Sequence, residues 1–166
     1  MLFRHAKAVH AASGQRDYDR SLTDRGKRDA AHMGSLIAAE KFDLALVSSA
    51  VRTRQTWEAA SAQMASPPKA REEKELYLCG ARRVVMQIHE VDLSVEKLIV
   101  VGHNPDMQEV ALWLAGSLEN KSVRDMRDKF PTAAMAGFTL DISSWEDIAP
   151  KHAMLERFVT PRNAED

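Results

Sequence analysis

Three short clusters in this chain place charged or nucleophilic side chains directly after an apolar run. Arg4-His5 follows Met1-Leu2-Phe3, Ser48-Ser49 leads to Arg52 after Leu44 to Val47, and Gly102-His103-Asn104 follows Leu98 to Val101. A neutral imidazole is a good nucleophile near neutral pH, and its attack on phosphorus gives a covalent phosphohistidine. Arginine stays charged and presents a planar fork that fits phosphoryl oxygens. Two arginines, with a second histidine donating a hydrogen bond, would stabilise the charge on the equatorial oxygens of the transition state. No metal is needed when the cations come from side chains. The residue types suit a tetrahedral dianion, and phosphate is the natural candidate.

Taken singly, each cluster has a plain structural explanation. Arg52 alone reads as a solvated helix residue, and Gly-His-Asn-Pro as helix-capping chemistry. Their joint occurrence at three successive strand ends shifts the weight towards a site. His10, His32, His89 and His152 are scattered without metal-ligand spacing, so no metal is expected. Lys7 and Arg20 either extend the positive pocket or stay solvated. Met33, Met86, Met107 and Met135 read as core filling, and Trp57, Trp113 and Trp145 as packing. Cys79, the single cysteine, excludes an intrachain disulfide and has no electropositive setting to activate it.

The elements that must position these residues follow from periodicity. Leu44 to Val47 and Leu98 to Val101 are unbroken apolar runs, as expected of parallel strands covered on both faces. Met1 to Phe3 is a strand stub, and Ala133 to Ile142 and Met154 to Val159 are further strand candidates. Helices are predicted from an N-cap at Thr23 through about Lys41, and over Val51 to Gln63 with Ser48 or Ser49 as cap. Two more run from Ala81 to about Val91, and from Pro105 to Leu114 with Asn104 as cap. Ala65 to Lys69 reads as a surface connection. Ser66 to Arg71 and Leu118 to Thr132 read as loops that would set substrate choice. The alternation predicts a three-layer α/β/α sandwich with a mostly parallel central sheet. Ligands of such sheets bind beyond the carboxyl ends of the strands, where two helix N-termini would also face a phosphate.

With 166 residues, the chain is expected to form one domain over 1–166. It is 45% hydrophobic and 28% charged, as ordinary globular proteins are. Its 23 Lys plus Arg balance 24 Asp plus Glu, for a net charge of −1, which removes the footprint of a general nucleic-acid binder. No apolar run is long enough to span a membrane, and a cytoplasmic location is expected.

The motifs also resemble a known family. Leu2-Phe-Arg-His-Ala-Lys7, Asp19-Arg-Ser-Leu-Thr-Asp-Arg-Gly26, Ser48-Ser-Ala-Val-Arg-Thr-Arg-Gln-Thr56 and Val100-Val-Gly-His-Asn-Pro105 are similar to successive motifs of the histidine phosphatase superfamily. The order and Pro131 to Met135, Trp145 and Leu155 to Pro161 resemble its small SixA-type phosphohistidine phosphatase branch. The resemblance implies a phosphoglycerate mutase-like fold and a phosphatase that works without metal or organic cofactor. By the same resemblance, His5 would be the phosphorylated nucleophile, with Arg4, Arg52 and His103 lining the phosphate pocket. Asn104 would sit beside that pocket as cap or supporting residue, with Arg20 a further candidate for it.

Three departures from the family pattern carry expectations of their own. Only three residues precede Arg4, fewer than is usual in the family, and so short a start could leave that central strand poorly paired. Ser49 stands where Pro is usual, and Thr53 where Ala is usual. The carboxylic acid that protonates the leaving group in larger members has no clear counterpart, and Glu73, Glu75 and Asp19 are candidates by neighbourhood only. The expected substrate is a phosphohistidine protein or a small phosphomonoester. A non-catalytic phosphate-binding adaptor is the alternative from another class, and a phosphomutase a further one. The sequence leaves the oligomeric state open, with a monomer compatible with it.

Overall fold

The computed structural model describes residues 1–116 and 120–163. Strands β1 (Leu2–Arg4), β2 (Leu44–Ser48), β3 (Lys69–Glu73), β4 (Leu98–Gly102), β5 (Met135–Leu140) and β6 (Ala153–Val159) form one sheet in the order β3-β2-β4-β1-β5-β6. The first four are mutually parallel, and β5 and β6 close the sheet in antiparallel fashion. Helices α1 (Asp24–Leu36) and α2 (Val51–Ser61) cover one face. Helices α3 (Ala81–His89), α4 (Asp106–Ala115) and α5 (Lys121–Asp128) cover the other. The predicted three-layer sandwich is what forms.

Strand alternation sorts the apolar residues into two cores. Phe3, Ala45, Val47, Ile99 and Val101 face α1 and α2, where Met33, Ile37 and Trp57 wait for them. Leu2, Leu44, Leu46, Leu98 and Val100 point the opposite way, onto Val84, Ile88, Met107 and Met126. A run apolar at every position is therefore what a strand buried on both faces needs. Helices α1 and α2 also touch closely at Gly34, where an added methyl would collide with the backbone of Ala60.

Several boundaries differ from expectation. The short β1 is not poorly paired: Leu2 and Phe3 are held by β4 on one side and β5 on the other. Helix α1 ends at Leu36, not near Lys41, because Ile37 leaves helical geometry and its N–H turns back to Gly34. Neither Ser48 nor Ser49 caps α2; Ala50 occupies the cap position. Helix α4 begins at Asp106 with Pro105 in the cap position, so Asn104 is not its cap either. Strand β5 starts at Met135, since Ala133 adopts a left-handed φ of 61°.

Two supposed loops contain elements. Lys69–Glu73 is an edge strand that borrows its order from β2 through backbone pairing, although its side chains are polar. Within 118–132, helix α5 is capped by the Asn120 side chain and buries Val123 and Met126; Leu118 itself lies outside the described residues.

Candidate active site

The carboxyl ends of β1, β2 and β4 lie side by side, and their polar residues meet there. His5 leaves β1 with its backbone fixed on both sides, its N–H on Gly102 O at 2.9 Å and its carbonyl on Ala133 N at 3.1 Å. The next amide, Ala6 N, is held by the Thr56 hydroxyl at 2.9 Å. Arg52, on the first turn of α2, is 2% exposed and sends its Nε to His5 Nε2 at 3.3 Å. His103 follows Gly102 and is 1% exposed, its ring centre 5.2 Å from that of His5.

The hydrogen bonds fix the tautomer of His5. Its Nδ1 lies 2.8 Å from the carbonyl oxygen of Ala6, an acceptor only, so Nδ1 carries the proton. In the neutral ring, the lone pair is then on Nε2, the atom that Arg52 faces. Burial pushes the His5 pKa down to about 4, against the Ala6 hydrogen bond and with help from the Arg52, Arg4 and Arg20 charges. Burial, with the neighbouring His5 and Arg52, likewise pushes His103 down to about 3. Both rings are neutral at physiological pH.

His103 is oriented by Ser48, which the sequence offers as part of the second polar cluster and as a possible helix cap. Its Nε2 is 2.7 Å from Ser48 Oγ, while its buried Nδ1 has no partner among the described residues. A Ser48 hydroxyl donating to Nε2 leaves Nδ1 as an N–H donor available to an anion. Arg4 Nε is also buried without a partner among the described residues, while Nη1 is anchored on Phe130 O at 2.6 Å. Two buried donors without an acceptor among the described residues, one of them on a charged guanidinium, favour an anion. Thr53, in place of the usual Ala, spends its hydroxyl on the carbonyls of Ser48 and Ala50 at the start of α2.

Asp17 and Tyr77 belong to the same cluster and were not singled out by sequence. Asp17 Oδ2 accepts from Arg52 Nη2 at 2.9 Å and from the Tyr77 hydroxyl at 2.7 Å. The Tyr77 ring stands edge-on to His103, 5.4 Å between centres. Desolvation pushes the Asp17 carboxyl upward, but Tyr77, Arg52 and Arg20 outweigh it and hold it below the usual carboxylate range. This carboxylate is ionised and acts as an acceptor.

The remaining candidates divide. Arg20 joins the rim of the cluster, with Nε on Asp17 Oδ1 at 2.9 Å and Nη1 on Val9 O. Asn104 supports the site from behind, its Nδ2 on Phe130 O, the same carbonyl that anchors Arg4. Asp19 pairs with Arg16, Glu73 with Arg71 and Glu75 with Arg83. Each of these three carboxylates is engaged in an ion pair outside the histidine cluster. Burial and Asp106 push the Cys79 thiol up to about 11, an unreactive setting.

The chain is similar to known proteins over most of its length. Residues 1–76 match the histidine phosphatase superfamily (branch 1). An uncharacterized protein of Mycobacterium tuberculosis (strain H37Rv) is 35% identical over 163 residues, 96% of this chain and 99% of the relative. A solved structure of a proposed phosphohistidine phosphatase SixA from Nakamurella multipartitia is 27% identical with a TM-score of 0.83, covering 96% of this chain and 95% of its own. Another, from Agrobacterium tumefaciens, is 29% identical with a TM-score of 0.81 and 96% coverage of both chains.

Proposed function

The chain belongs to the histidine phosphatase superfamily, in its SixA-type branch, and from that premise we propose that it hydrolyses phosphohistidine, or a small phosphomonoester, through phospho-His5. The observation that carries this reading is the Nδ1–H of His5 bound to Ala6 O, which leaves Nε2 as a nucleophile facing Arg52. Arg4, Arg52 and His103 would hold the phosphoryl oxygens, with Ser48, Asn104, Asp17 and Arg20 positioning them.

In the first step, His5 Nε2 forms a bond to phosphorus as the bond from phosphorus to the leaving group breaks. A phosphohistidine protonated on its free ring nitrogen expels a neutral imidazole, which needs no further proton. An alkoxide would need one, and the carboxylate in the cluster is held ionised. That contrast favours the phosphohistidine substrate. In the second step, water attacks phosphorus, the N–P bond breaks, orthophosphate leaves and a proton goes to solvent. His5 returns to the neutral form that its surroundings favour.

The test is hydrolysis of phosphohistidine and of p-nitrophenyl phosphate by the wild type and by His5→Ala. Turnover of phosphohistidine that His5→Ala abolishes is the expected result. Phosphate binding with no turnover of either substrate would instead support a non-catalytic module.

A further inference from the structure

Beside the phosphate pocket, and sharing Arg4 with it, runs a cavity of about 820 Å³. Its walls carry Arg4, Lys7, Lys129 and Arg162, none of which has a carboxylate partner among the described residues. Its two carboxylates are already engaged, Asp29 by Arg25 and Asp125 by Lys121. This concentration of positive charge is local, because the whole chain has a net charge of −1.

Resting on the proposed phosphatase reading, we infer that this groove is a second-anion subsite: the substrate carries, beside its scissile phosphoryl group, another phosphate or carboxylate that docks here. The Arg4 charge acts on both ring histidines of the cluster, and Arg4 also lines the groove, so it is the residue that a substrate occupying both would share. The groove is concave and of the size that encloses a small ligand, about 300–1,000 Å³, which favours a small substrate over an acidic protein face. A dianion in the pocket and a second anion in the groove would share Arg4, and Lys129 and Arg162 supply the charge that the second group needs. Such contacts weaken with salt, because the groove's lysines and Arg162 are solvent-exposed.

Titration calorimetry with phosphonates tests this without turnover, since their P–C bond is not cleaved by hydrolysis. Methylphosphonate is compared with phosphonoacetate, 4-phosphonobutyrate and methylenediphosphonate, which add a carboxylate at two reaches or a second phosphonate. Wild type should bind at least one of the three about tenfold tighter than methylphosphonate, as two charge-assisted contacts allow. The gain should collapse in K129E/R162E, or in K129Q if the double variant does not fold. It should persist in K41E/K69E, which changes net charge equally at exposed lysines elsewhere. Gain with the diphosphonate alone assigns the subsite to phosphate; gain with the carboxylates assigns it to anions in general. Equal binding of all four ligands overturns the proposal, as does a gain that survives K129E/R162E or falls equally in K41E/K69E. Absence of phosphatase turnover would be read separately and would leave these affinities standing.

Discussion

Arg52 Nε lies 3.3 Å from His5 Nε2, so the buried guanidinium meets the imidazole at its lone pair. A phosphoryl group attacked by that nitrogen would arrive beside a fixed positive charge. The same guanidinium is held from behind by the carbonyl and carboxylate oxygens of Asp17.

Oxyanion binding should therefore depend on Arg52. Phosphate, vanadate and tungstate should inhibit competitively and raise the melting temperature of the wild type, because a ligand specific to the folded state stabilises it by mass action. Arg52→Ala should lose most of that shift. An unchanged shift would return Arg52 to the role of an ordinary buried helix residue.

The Ser48–His103 hydrogen bond predicts a graded pair of defects. Deleting a donor to transition-state charge costs about 10²–10³ in rate, so His103→Ala should be slowed by about that much while still acquiring phosphate at His5. Ser48→Ala removes only the group that orients the ring, and should lower kcat by about tenfold with KM nearly unchanged. Equal activity of Ser48→Ala and wild type would show that the 2.7 Å contact orients nothing.

The neutral histidines predict an acid-sensitive fold. Unfolded histidine takes up a proton below about pH 6.5, whereas His5 and His103 do so only near pH 4 and 3. Between these values the unfolded state binds more protons, so stability falls as pH is lowered through that window. His103→Asn should flatten the dependence by roughly 1.4 kcal/mol per pH unit, the linkage of one proton. Urea titrations at pH 4.5 and 6.5 measure it; identical slopes for both proteins would contradict the assigned neutrality.

Which parts of this arrangement were legible beforehand follows from how each part is stabilised. Leu44 to Val47 and Leu98 to Val101 announced themselves because both faces of each strand are buried, and the polar residues after them stood out by contrast. Strand β3 has no such signature, since Lys69 to Glu73 are ordered by backbone pairing at an edge. Asp17 and Tyr77 lie in polar segments without periodicity, and only the fold brings them together across 60 residues. Helix α5 did leave a trace, in Asn120 as a cap and in Val123 and Met126 three positions apart, within an otherwise polar stretch. Ser48 was visible as a residue but not as a partner, because its role depends on β2 and β4 being neighbours.

The close approach of α1 and α2 predicts a stability defect distant from the chemistry. Gly34→Ala would force a methyl against the Ala60 backbone and should destabilise the fold by about 1–3 kcal/mol, as overpacked cores do. Chemical denaturation measures the change. A neutral effect would mean that the two helices can separate without loss.

The central claim is that His5, and not His103, becomes phosphorylated, and covalent trapping addresses it most directly. The wild type is exposed briefly to phosphohistidine or an acyl phosphate, quenched at alkaline pH to preserve acid-labile phosphohistidine, digested and mapped by mass spectrometry. The account predicts one phosphate on the peptide containing His5, on Nε2, absent in His5→Ala and present in His103→Ala. Label on His103, or undiminished turnover by His5→Ala, would contradict it.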